Sequence, residues 1–105
     1  MAAEHHFVYT GERYPPPDAT HVSIHESITV IPEFLFHEHL YIIELICHDG
    51  VKKIERQAFW KCPSLNRLIM PGVEKVEGGA FSFCVAIEHI ECKKLEIIGQ
   101  LVYNT

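Results

Sequence analysis

No stretch of this sequence approaches the roughly 20 consecutive apolar residues that a membrane-spanning helix needs. The opening residues, MAAEHHFVYTGER, also lack the apolar run of a secretory leader. The expectation is a cytoplasmic chain without membrane insertion, or a cell-surface one if it is a piece of a longer protein. Cysteine is scarce. Four cysteines with no C-x-x-C pair are too few for a secreted disulfide framework and argue against a structural zinc or redox motif. Basic residues are outnumbered, nine against 14 acids, and the formal charge of −5 argues against a nucleic-acid backbone as partner, because such binding rests on counterion release by Lys and Arg. The imbalance sits in residues 1–50, where eight acids face the single base Arg13; residues 51–105 hold six acids and eight bases. Its ordinary meaning is solvated surface. Catalytic signatures are missing too. There is no G-x-S-x-G, no H-E-x-x-H and no Gly-rich phosphate loop, and the pair Gly78 and Gly79 reads as a local turn. No enzyme and no cofactor are expected.

What the chain does contain is a repeat. Residues 51–70, VKKIERQAFWKCPSLNRLIM, place Val51 and Ile54 three apart, then Ala58 and Phe59, Cys62, Leu65, Leu68 and Met70, closed by Pro71. Twenty-two residues on, the order returns as Val73, Val76, Ala80, Phe81, Cys84, Ile87, Ile90 and Cys92. Twenty-three residues back it runs Ile28, Ile31, Leu35, Phe36, His39, Ile42, Leu45 and Cys47. A fourth copy starts at Leu95 and Ile98 and reaches Val102 and Tyr103. A period near 22 implies coils that stack and bury a continuous core between neighbours.

Residues 19–24, 42–47, 65–70 and 87–92 share the form L-x-x-L-x-L, whose closing alternation is a strand signature. They predict a parallel β ladder that starts at Val22 and Ile24. Turns follow each strand, at His25, Glu26 and Ser27, at His48, Asp49 and Gly50, and at Pro71 and Gly72. The A-F-x-x-C segments suit a turn or two of α- or 3₁₀-helix packing Phe into the coil. The expected class is thus an α/β repeat, a short solenoid with short helical segments opposite its ladder. Phe36, Phe59, Phe81 and Tyr103 should stack as one column. Residues 1–18 read as a lead-in: His5 and His6 as terminal disorder, Phe7, Val8 and Tyr9 as a short strand, and Pro15, Pro16 and Pro17 as a rigid connector. The solenoid spans 19–105, with a partial coil at 19–27, repeats at 28–50, 51–72 and 73–94, and a partial copy at 95–105.

The pattern A-F-x-x-C-x-x-L-x-x-L-x-x-P, carried by Ala58, Phe59, Cys62, Leu65, Leu68 and Pro71, resembles the BspA-like leucine-rich repeats over residues 19–105. The resemblance implies a right-handed solenoid used in adhesion and protein–protein contact, often at the cell surfaces of bacteria and protists, with no common catalytic residues. The first copy departs from it. His37 and His39 stand around the aromatic neighbour and the Cys, and Asp49 replaces Pro71. No polar coil follows Tyr103, so the expectations are a fragment, a divergent short member, or a chain that self-associates through an uncapped C-terminal coil.

Function is expected on the surface, in contact with a protein partner. Between the apolar ladder positions lie three outward columns: Thr20, Ile43, Asn66 and Glu88; His21, Glu44, Arg67 and His89; Ser23, Ile46, Ile69 and Glu91. Ile43, Ile46 and Ile69, rimmed by Glu44 and Arg67, have the make-up of a protein contact, with Asn66 and His89 beside them. Trp60, next to the aromatic column, is a second anchor. The alternative function is metal binding: His25 and His48 are one coil apart, about 4.8 Å in a parallel ladder, with Glu26 or Asp49 as a further ligand. A purely structural segment of a longer array is a third reading. Cys62 and Cys84 also stack, close enough for a disulfide to be considered, but read better as buried thiols acting as small hydrophobes.

Overall fold

The computed structural model describes residues 3–94 and residue 96. Alternating apolar and polar side chains give each short strand an inward and an outward face. The strands are β1 (His6–Tyr9), β2 (His21–Ile24), β3 (Val30–Ile31), β4 (Glu44–Ile46), β5 (Lys53–Ile54), β6 (Arg67–Ile69), β7 (Lys75–Val76) and β8 (His89–Glu91). One parallel sheet runs β1-β2-β4-β6-β8 and a second runs β3-β5-β7. Each ladder step joins residues one repeat apart: Leu45 pairs with Leu68 and Leu68 with Ile90, while Ile31 pairs with Ile54 and Ile54 with Val76. The chain is therefore a parallel-stranded solenoid, and its core is the column of residues that the repeat superimposes. Ile31, Ile42, Leu45, Val51, Ile54, Leu65, Leu68 and Met70 are fully buried. Phe36, Phe59 and Phe81 stack face to face, with ring centroids 4.8 and 5.0 Å apart and planes within 7° and 5° of parallel. The fourth copy, with Tyr103, lies outside the described residues.

The third wall of each coil differs from the helical expectation. Among the described residues there is almost no helix, and the A-F-x-x-C segments are successive tight turns. Leu35 N–H donates to Pro32 O, His39 N–H to Phe36 O, Ala58 N–H to Glu55 O, Ala80 N–H to Glu77 O and Cys84 N–H to Phe81 O. The third residue of each turn is left-handed: Phe34 (φ 63°), Glu38 (56°), Gln57 (53°), Gly79 (73°) and Phe83 (62°), with Lys61 (55°) in the matching place of the middle coil. That is the mark of a type II turn. A left-handed residue every fourth position cannot propagate a right-handed helix. The amides in between bond to the next coil: Phe36 N–H to Ala58 O (2.7 Å), Glu38 N–H to Trp60 O (2.7 Å), Phe59 N–H to Ala80 O (2.8 Å) and Lys61 N–H to Ser82 O (2.9 Å). Turns satisfy these amides between coils, where a helix would turn them back along its own axis. The apolar spacing is compatible with either.

The amino-terminal residues also depart from expectation. The ladder begins at β1, one strand before Val22, and His6 belongs to that strand instead of a disordered terminus. Phe7 and Tyr9 point into the core and are buried, and the Arg13 guanidinium lies 5.5 Å from the centre of the Phe7 ring. Residues 10–20 provide the crossover that a parallel pair requires. Thr20, expected to face outward, is buried, and its hydroxyl accepts from His5 N–H (2.7 Å). That bond exists because β1 lies alongside.

Candidate interaction surface

Strand register assembles most of the expected surface residues. Glu44 faces Arg67 and Arg67 faces His89, while Ile46 lies directly beside Ile69. Arg67 Nε donates to Glu44 Oε2 at 3.0 Å. The pair is partly exposed and contributes at most about 1 kcal/mol to stability, but it fixes both side chains on the face. Ile46 is 42% exposed, Ile43 36% exposed, and Ile69 half-buried. The ladder thus presents a flat apolar strip beside a fixed ion pair. His89 is exposed and lies 3.7 Å from Glu91. Asn66 ties two coils together, because its side-chain N–H donates to Ala86 O (3.0 Å) and its backbone carbonyl accepts from Glu88 and His89 N–H. β1 lengthens the two columns beyond the sequence reading. His6 joins His21, Glu44, Arg67 and His89, and the exposed Val8 joins Ser23, Ile46, Ile69 and Glu91.

Trp60 is not brought to this face. It sits half-buried on the wall of turns, stacked on His37 (4.8 Å, 13°) and edge-on to Phe83 (5.6 Å), with Lys61 Nζ 4.8 Å from its ring centre. Its surroundings include residues that the sequence reading passed over: Phe34 is 42% exposed and Phe83 56% exposed. A signal for them was present. Phe34 matches Gln57 and Gly79 of the next coils, and Phe83 matches Lys61, so neither aromatic is required by the repeat.

The histidines proposed as a metal alternative are close but already employed. His48 Nε2–H donates to the carbonyls of His25 (3.1 Å) and Ile28 (2.9 Å), and its Nδ1 accepts from Gly50 N–H (3.0 Å). The turn therefore uses both ring nitrogens. His25 Nδ1 bonds to Ser27 (2.7 Å to Oγ), and Asp49 lies 3.9 Å from Lys93 Nζ. His39 also closes a turn: its Nδ1 accepts from Ile42 N–H, and its Nε2–H donates to Pro16 O.

All four cysteines are free thiols. Cys62 Sγ–H donates to Phe36 O and Cys84 Sγ–H to Phe59 O, both at 2.9 Å, so each thiol ties its coil to the preceding one. The neighbouring Cys84 thiol, together with burial, pushes the Cys62 thiol up, and burial pushes Cys47 from 9.0 to about 12. Such thiols stay protonated and inert at neutral pH.

The repeat, its register and its surface can now be set beside known proteins. A family model described as the BspA type leucine rich repeat region matches residues 16–105, in six copies. The chain belongs to this family. Comparison with curated proteins and with solved structures gives no match. Leucine-rich repeats commonly mediate protein–protein interaction and are generally non-catalytic. In this BspA-type chain, no helix among the described residues is long and apolar enough to cross a membrane.

Proposed function

We propose that the chain is a non-catalytic protein-interaction module whose contact surface is the β ladder around Ile43, Glu44, Ile46, Arg67 and Ile69. The observation that carries this reading is the adjacency of Ile46 and Ile69 in one register step, beside the Glu44–Arg67 pair. Apolar side chains on a rigid sheet lose little conformational entropy on binding. An ion pair at the rim steers the approach and penalises wrong partners. The test is capture of partners from source-cell extract by the wild-type chain and by an Arg67→Glu, Ile69→Asp double variant whose circular dichroism is unchanged. A partner held by the wild type and lost by the folded variant supports the ladder face. A partner held equally by both removes it.

A second reading is favoured by Phe34 and Phe83. A left-handed backbone costs a non-glycine residue about 1–2 kcal/mol, and both are bulky, exposed aromatics in that conformation. Glu38, Gln57, Lys61 and Gly79 fill the same place in the other turns, so the turn itself does not call for an aromatic there. Together with His37 and Trp60, Phe34 and Phe83 form an aromatic row on the wall of turns. Loss of the captured partner on Trp60→Ala, with retention by the ladder variant, would place the contact there.

A further inference from the structure

Three side chains of metal-ligand type meet at the amino-terminal edge of the ladder, away from the His25–His48 turn. They are Glu4, His6 and His21, and their ligating atoms lie within 4.8 Å of one another. The β1–β2 register sets His6 opposite His21, and the two rings stack with centroids 4.9 Å apart. The Glu4 carboxylate spans both imidazoles: Oε2 is 3.1 Å from His6 Nε2, and Oε1 is 3.9 Å from His21 Nε2.

Thr20 makes this more than a chance cluster. Its buried hydroxyl has three polar neighbours: His5 N–H (2.7 Å), His5 O (3.2 Å) and His21 Nδ1 (2.8 Å). A hydroxyl donates once and accepts twice. The His5 amide can only donate, and the His5 carbonyl also accepts from the backbone N–H of Thr20 (2.9 Å) and of His21 (3.1 Å), so the hydroxyl is held on the strand edge from several sides. The same hydroxyl bonds to Nδ1 of His21 at 2.8 Å, which engages that nitrogen and sets the plane of the ring. Nε2 is then the nitrogen left to face the Glu4 carboxylate, 3.9 Å from Oε1. A polar neighbour that holds the second ring nitrogen and orients the ring in this way is what metal-binding imidazoles have. His21 is also the best anchored of the three, with its side chain only 19% exposed.

We propose that Glu4, His6 and His21 bind a divalent ion of the zinc class, with water in the fourth position, and that the ion fastens β1 to the rest of the ladder. Two imidazoles and one carboxylate are a donor set that suits zinc. Tetrahedral ligand atoms sit about 3.3 Å apart at zinc–nitrogen distances near 2.0–2.1 Å. His21 therefore stays in place, while the exposed Glu4 and His6 side chains close the remaining gap by rotating. The competing account is an imidazole–carboxylate pair on a solvated edge with no affinity for metal.

Calorimetric titration of the full chain with zinc, paired with thermal unfolding, separates the two. Zinc should bind at one equivalent and raise the Tm, and cobalt should give the visible absorption of a four-coordinate ion. His6→Ala and His21→Ala should each weaken binding at least tenfold, and His25→Ala should leave it unchanged. Thr20→Val should weaken it by about 10–100-fold at the same stoichiometry. Because Thr20 is buried, that variant is read only if its circular dichroism is unchanged. His6 is exposed, and its variant decides the matter without that condition. No saturable binding, or binding that survives His21→Ala undiminished, would overturn the proposal; the second result would mean that only the neighbouring His5 and His6 attract the ion.

Discussion

Phe59 occupies the centre of the core, fully buried and stacked between Phe36 and Phe81. Its truncation removes contacts with both neighbouring coils at once. Phe59→Ala should therefore cost about 3–5 kcal/mol in urea unfolding, a large share of the ~5–15 kcal/mol typical of a domain. A loss below about 1 kcal/mol would mean that the coils do not share this column. Cys47 gives a pH signature. Its folded-state thiol titrates at about 12 against 9.0 ordinarily, so the folded chain keeps a proton that the unfolded chain releases. The corresponding stability is full below about pH 9 and falls as pH rises from about 9 to 12. Denaturant melts across that range should show a shallower decline for Cys47→Val than for the wild type. Equal slopes would contradict the assigned cause. At this scale the sequence was informative where spacing decides the environment, as for Phe36, Phe59, Leu45 and Leu68. It misplaced Thr20, because the burial of that hydroxyl depends on His5, a residue outside the repeat.

The strands of the ladder were legible because their two-residue alternation is a geometric necessity of a half-buried strand. β1 was harder to recognise as part of the ladder. Four alternating residues, HFVY, precede any copy of L-x-x-L-x-L and cannot announce which strand they will pair with. The wall of turns was misread as helix for a different reason. Type II turns usually advertise themselves by Gly or Asn at the left-handed place, and here Gly79 alone does so, while Phe34, Glu38, Gln57, Lys61 and Phe83 carry side chains there. This gives a paired prediction. Gln57→Gly relieves about 1–2 kcal/mol of backbone strain against about 0.4–1 kcal/mol of added unfolded-state entropy, so it should stabilise by up to about 1.5 kcal/mol. Gly79→Ala reverses both effects, and its new Cβ would lie 3.1 Å from Gln57 Cγ, so it should destabilise by at least about 1 kcal/mol. Thermal melts of the two variants should move in opposite directions. A shift in the same direction would be inconsistent with the turn geometry.

Among the described residues the backbone spans 34 × 29 × 20 Å. A standard protein interface takes about 800 Å² from each partner. A partner of ordinary size would cover a large part of one wall, so a contact on the ladder and a contact on the turns can be told apart by where it is captured. The sequence pointed to Ile43, Ile46 and Ile69 because outward positions follow from register. It set Trp60 apart as a second anchor but not the aromatic row around it: Phe34 and Phe83 depart from the residues at the matching repeat positions, yet spacing alone does not show that those positions lie beside Trp60. The most direct test is photo-crosslinking in source-cell extract, with a photoreactive residue at position 46 in one chain and at position 83 in another. Both positions are exposed, and they lie on different walls. The ladder-face reading predicts a discrete protein adduct from position 46 and none from position 83. An adduct from position 83 alone, or from neither, would contradict it.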